Sequence, residues 1–302
     1  MNLAFYLRTP GGSHRQLWRI DDVSAEQIGT SRVGHTYFEA SPGVSVWDDI
    51  RNRTPWFEPD GENPFVRLQL EADQYYPRIA RPLGNNAGPQ ALWCPGASVD
   101  QNMIASARSQ AEGLTAQLGR VCRTIHPCPE TFSTYGHDIR NLLILASTEV
   151  EMSCRGVLRV NGSTKTRLSM NEYVALADVM GLRDFAVRFP TFPWLDPIRP
   201  FENWLSTDPT RSLGWYDAYN GVKHNREHEF EKATLKHAFE AVSACVILLV
   251  AQFGRASGVI SGVDLGAFFA IDQEPQWPVE TAYFGPLAGW TPVNHPTLFA
   301  YQ

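Results

Sequence analysis

Long apolar runs, paired cysteines and an excess of positive charge are all scarce in this 302-residue chain. Each scarcity removes a class of function. The longest apolar stretch, residues 244–251, is far too short to span a bilayer. Met1-Asn2-Leu3-Ala4-Phe5-Tyr6 carries no basic leader ahead of an apolar core, and Pro10-Gly11-Gly12 breaks the segment, so neither a signal peptide nor membrane insertion is expected. Five scattered cysteines are an odd number in a chain long enough to need no covalent staples, which fits a reducing cytoplasm. With a formal net charge of −6, the chain is not built to grip nucleic acid mainly through its phosphates. Between residues 133 and 254, 13 Lys and Arg stand against 14 Asp and Glu. No Gly-rich phosphate loop, nucleophile elbow, dinucleotide fingerprint, internal repeat or low-complexity tract occurs.

What is present is a folded composition, 43% hydrophobic and 19% charged, and a change of period along the chain. Residues 1–97 are rich in Pro, Gly and Trp with short alternating runs. Among them, Val66, Leu68 and Leu70 share one face, so short strands and turns are expected. The loop chemistry of Gly84-Asn85-Asn86-Ala87-Gly88-Pro89 leads toward a boundary. After Ser98, which with Gln101 resembles a capping box, Ile104, Ala107, Ala111, Leu114, Leu118, Val121 and Ile125 form one helical stripe closed by Pro127 and Pro129. A second stripe runs from Ile139 through Leu143, Val150 and Leu158 to the stop at Asn161-Gly162. Ser169 and Glu172 cap a short helix over 170–180, and an aromatic connection over 189–209 is irregular. A helix over about 212–224 and a long one bearing Leu235, Phe239, Val242, Val246, Leu249 and Phe253 complete the set, with Gly254 as its stop. The expected fold is α+β: a β-rich region over 1–97, a helical bundle over 98–254 and an irregular Gly, Pro and aromatic tail over 255–302.

The densest polar and aromatic cluster is Trp215-Tyr216-Asp217-Ala218-Tyr219-Asn220-Gly221-Val222-Lys223-His224-Asn225-Arg226-Glu227-His228. In a continuous helix Asn220, His224 and His228 fall on one line at i, i+4 and i+8. Imidazole, amide, ammonium and guanidinium groups together can hold an anion or move a proton, since His titrates near neutral pH. Within this cluster, Tyr219 to Arg226 resembles the motif region of the HEPN superfamily, whose helical domains are often RNA-cleaving toxins and phage-defence effectors. The superfamily pattern is an Arg, usually followed by a polar residue such as Asn, and then a His after four to six intervening positions. Asn220 and His224 match the polar position and the His, while Tyr219 stands in place of the Arg. The wider segment over 137–254 is similar to a group of bacterial proteins without an assigned function.

The resemblance implies metal-independent RNA cleavage at a homodimer interface, with His224 as the base or acid and Lys223 or Arg226 supplying the cation that Tyr219 cannot. Asn220 and Tyr219 complete the candidate site, and no cofactor or metal is required. The competing function is a non-catalytic interaction or assembly module in which the same residues shape a helix junction. His224-Asn225-Arg226-Glu227-His228 also spells H-x-x-E-H, the pattern of inverted zinc peptidases, but a third ligand would have to come from Glu274 or Glu280 in the tail. Cys122, His126 and Cys128 match no common zinc spacing, and Cys122 beside its apolar stripe reads as a buried structural thiol. Glu149 and Glu151, two apart on one helix, face different directions; Arg140 and Glu151 are the residues that could approach the motif from a neighbouring helix.

Overall fold

A computed structural model describes residues 3–9, 15–54, 57, 62–82, 92–98, 101–260, 265–284 and 293–294. The architecture is α+β, with an antiparallel sheet ahead of a group of long helices. By internal contacts the chain forms two compact units. The first comprises Met1–Tyr75, Arg81–Pro95 and Trp277–His295; the second comprises Tyr76–Ala80, Gly96–Gln276 and Pro296–Gln302.

The first unit is built on a five-stranded sheet in the order β4-β3-β2-β1-β5. Its strands are β1 (Ala4–Arg8), β2 (Gln16–Ile20), β3 (Ser24–Gln27), β4 (Tyr37–Glu39) and β5 (Phe65–Arg67), all paired antiparallel. Because successive side chains alternate faces, Trp18 and Ile20 pack with Phe38, Phe65 and helix α1 (Val46–Arg53), while Leu17, paired directly with Leu7, meets Leu68 and Phe284 on the other side. Phe65 points inward and Val66 is exposed, and the strand ends at Arg67, so the alternation read through Leu68 and Leu70 does not continue as strand. The larger ring takes the core position, edge-on to both Trp18 and Trp47. Two-residue strands β6 (Gln74–Tyr75), β7 (Arg81–Pro82), β8 (Leu92–Trp93) and β11 (Val293–Asn294) complete this unit. The 84–89 loop expected from sequence lies outside the described residues.

In the second unit, helix α2 (Gln101–Thr124), helix α3 (His137–Val160) and helix α8 (Leu235–Phe253) form one bundle with α6 (Gly214–His224). The stripes expected on α2 and α3 are the buried faces: Ile104, Leu114 and Leu118 on one, Leu142, Leu143, Ala146, Val150 and Val157 on the other. The side chain of Ser98 lies outside the described residues. Helix α8 departs from a single stripe, for 16 of its 19 residues are buried and it forms the centre of the bundle. Alone among the described helices it has the length and hydropathy to cross a membrane, and its burial accounts for that composition. Ser169 and Glu172 make their capping box, but the short helix they start is split into α4 (Met170–Tyr173) and α5 (Leu176–Val179), closed by Gly181 in the left-handed region at φ +61°. Strand β9 (Ala186–Arg188), α7 (Arg226–Glu229), α9 (Leu265–Phe268) and β10 (Ala270–Gln273), which pairs with β9, are short.

The segment Tyr76–Ala80 packs on the bundle. Ala80 N donates to Ala251 O at 2.8 Å and Asn161 Nδ2 donates to Pro77 O at 2.7 Å. Arg78, at φ +57°, donates through Nε to Gln252 Oε1 at 2.8 Å, and its guanidinium occupies space that any side chain at Gly156 would fill. Burial pushes the nearby Glu149 carboxyl up, with Arg78 partly opposing it.

Near the start of α8, Glu240 lies 3.8 Å from Lys236 Nζ, and burial pushes its carboxyl up to about 7. The folded chain therefore keeps a proton there that the unfolded chain loses near its ordinary value, so stability falls as pH rises through that window. Glu240→Gln is expected to flatten this fall and to gain, relative to wild type, at most about 3 kcal/mol above pH 7. Urea midpoints at pH 5 and pH 8 measure it; identical pH dependence in both proteins would refute the assignment.

Candidate functional site

Helix α6 forms where Trp215, Tyr216, Ala218, Tyr219 and Val222 recur at helical spacing and turn inward. The helix stops at Asn225, whose backbone leaves the helical region at φ −134°, ψ 56° and whose N–H donates to Gly221 O at 2.8 Å. The chain resumes as α7 from Arg226, so the line of Asn220, His224 and His228 expected from a continuous helix is broken between His224 and His228. The H-x-x-E-H reading loses its i, i+4 geometry for the same reason.

Beneath the motif lies a network of tyrosines and charges from three elements. Tyr216 Oη donates to Glu151 Oε1 on α3 at 2.5 Å. Burial, then this carboxylate, holds the Tyr216 hydroxyl far above its ordinary range. Tyr219 is fully buried with its ring 5.3 Å from that of Tyr216, and its hydroxyl accepts from Lys223 Nζ at 2.7 Å. That hydrogen bond raises the Lys223 ammonium, with Glu151 adding to the effect. One helical turn along α3 from Glu151, Arg155 Nε donates to Tyr173 Oη at 3.4 Å, and Tyr173 Oη in turn donates to Leu168 O at 3.1 Å. The connection ahead of α6 packs on Trp215, whose Nε1 donates to Pro200 O at 2.9 Å and whose ring meets Tyr216 edge-on; Phe201 stacks on Trp204.

The structure thus brings together Tyr219 and Lys223 with Glu151, Tyr216, Arg155 and Tyr173. It places the other expected residues differently. Asn220 is half-buried, and His224 is exposed with no hydrogen bond among the described residues. The side chain of Arg226 lies outside the described residues. Of the candidate site, Tyr219 is turned into the core with Lys223 Nζ on its hydroxyl; two clefts of the helical unit lie along α2. Glu149 and Glu151 do diverge, one toward Arg78 and the other toward Tyr216. Arg140 turns to the ring of Phe230 at 5.9 Å, away from this network.

Glu151, expected from the sequence as able to approach the motif from a neighbouring helix, does so through Tyr216; that partner and the contribution of Arg155 and Tyr173 were not found from the sequence. One signal was available, because Glu151 sits between Val150 and Cys154 at the edge of an apolar stripe, where a carboxylate requires a partner. Cys122, expected to be buried, is half-buried and lines a cleft beside α2; burial still pushes its thiol up to about 12, and all five cysteines are free.

Tyr216→Phe is expected to cost about 1.5 kcal/mol, the value of a hydrogen bond to a charged acceptor. Equilibrium unfolding by urea would show it, and an unchanged midpoint would remove the bond from any structural role.

Comparison of the chain with family models, curated proteins and solved structures finds no match.

Proposed function

We propose that the end of α6 is the RNA-directed surface of a metal-independent ribonuclease of the HEPN type, acting in bacterial stress or phage defence in the cytoplasm. The observation that carries this reading is an exposed imidazole, His224, directly following Lys223, whose ammonium donates to the hydroxyl of the buried Tyr219 at 2.7 Å. His224 takes the proton of an RNA 2′-hydroxyl, the 2′-oxygen attacks the adjacent phosphorus, and the bond to the 5′-oxygen breaks with a proton delivered to the leaving group. Lys223 meets the charge that develops on the phosphate, with Arg226 as a second cation and the Asn220 amide as an orienting donor. Tyr219 then positions Lys223 rather than replacing the missing Arg. In a homodimer, the second copy of His224 supplies the acid for the leaving oxygen.

The second reading, an interaction or assembly module, is favoured by one observation: His224 lines neither of the large clefts of the helical unit. Purified protein incubated with total cellular RNA, with and without chelator and beside His224→Ala, separates the two. Chelator-insensitive cleavage that depends on His224 supports the first reading; no cleavage in any arm leaves the second.

A further inference from the structure

We infer that the C-terminal end of α2 is a stacking platform for single-stranded RNA, distinct from the α6 end and deepening the reading of the protein as RNA-directed. Two clefts of about 680 and 710 Å³ flank this helix end, and Arg120 lines both. Each is edged by an exposed aromatic. On one side Tyr135, 51% exposed, lines the cleft directly. On the other Phe192 lines the cleft and its ring meets that of Trp194, also 51% exposed.

Both rings are held in place before any ligand arrives. Trp194 stacks on His126 with centroids 5.0 Å apart and planes 24° apart, and its Nε1 donates to Pro127 O at 2.7 Å. Tyr135 meets Phe230 edge-on at 5.8 Å. Phe230 follows α7, so this side of the platform borders the connection that leaves His224. A large indole left half in water while its polar atom is already satisfied exposes an aromatic surface whose ordinary use is to stack on another ring. Arg120 and Arg123 are exposed and make no ion pair among the described residues, so both remain open to phosphates.

Charge decides what kind of binding this is. Two cations, with Asp138 in one cleft and a chain of net charge −6, cannot hold a duplex by its backbone. Stacking on unpaired bases supplies the affinity instead, and it tolerates many sequences because every base has a flat face. The clefts suit bases splayed to either side of α2, with the strand's phosphates crossing at Arg120.

The test is fluorescence anisotropy of the full chain with a labelled 2′-O-methyl oligouridylate of about twelve nucleotides, which cannot be cleaved through its 2′-oxygen. Trp194→Ala and Tyr135→Ala are each expected to weaken binding about tenfold, whereas Trp194→Phe, which keeps a flat ring, retains most of it. Two phosphate contacts set a slope of log affinity against log salt of about −1.4 in the wild type, falling to about −0.7 in Arg120→Ala. Unchanged affinity in both alanine variants, or equal binding of an RNA duplex, would overturn the platform. Binding of this probe by a protein that cleaves nothing would overturn the proposed function and leave the platform standing; cleavage with unaltered binding in the variants would do the reverse.

Discussion

Val246→Asp is expected to yield no soluble folded protein. Val246 is 0% exposed on α8, which is itself buried on nearly every side between α2, α3 and α6. A carboxylate placed there has neither water nor a cation to meet, and an unpaired buried charge costs several kcal/mol even after it shifts its protonation. Added to the lost packing, that consumes most of the roughly 5–15 kcal/mol by which a domain is stable. Leu143→Asp, at the same depth on α3, is expected to behave alike. Val246→Ala is the control: it removes two methyl groups and no more, and should fold with a loss of about 2 kcal/mol. Expression yield and the thermal transition measure the contrast. A Val246→Asp protein that melts where wild type does would contradict the bundle.

His224→Ala is expected to abolish RNA cleavage, by about a hundredfold to ten-thousandfold, while leaving the melting temperature unchanged. The first part is the usual worth of a positioned proton-transfer group. The second follows from its surroundings, since an exposed side chain with no hydrogen bond among the described residues contributes little to folding. This separates His224 from its neighbours, for the Tyr216–Glu151 and Tyr219–Lys223 bonds lie in the network beneath it. Tyr219→Arg, which from the sequence alone would restore the missing cation, is instead expected to destabilise the fold, because it sets a guanidinium in a fully buried position. Lys223→Ala is the better probe of the cation: it should lower cleavage while Tyr219 stays buried.

The long helices were legible because their apolar residues recur at three and four and their ends carry recognisable stops, such as Asn161-Gly162 after α3. The all-round burial of α8 was not. Ala238, Ala241, Ser243, Ala244 and Gln252, small or polar residues outside the stripe read from the sequence, are buried as well because neighbouring helices cover them. Residue types at the candidate site were equally legible, but their directions were not. A helix reading runs unbroken from Asn220 to His228, and only the backbone at Asn225 turns the second His away. Tyr219 looked like a substituted catalytic position; its ring is a core residue whose hydroxyl holds a lysine. Long-range partners lie far off in sequence, Glu151 and Tyr216 in the network 65 residues apart and Arg78 and Gln252 elsewhere in the bundle 174 apart, and no local pattern joins them.

The most direct test of the RNA-cleaving reading is the chemistry of the cut ends. An RNA oligonucleotide and its 2′-deoxy counterpart are incubated with the protein in chelator, and the products are examined for a 2′,3′-cyclic phosphate. If His224 activates the 2′-hydroxyl, the RNA is cut to cyclic-phosphate ends, the 2′-deoxy strand is untouched and His224→Ala cuts neither. Cleavage of the 2′-deoxy strand, or RNA left intact by the wild type, would contradict it.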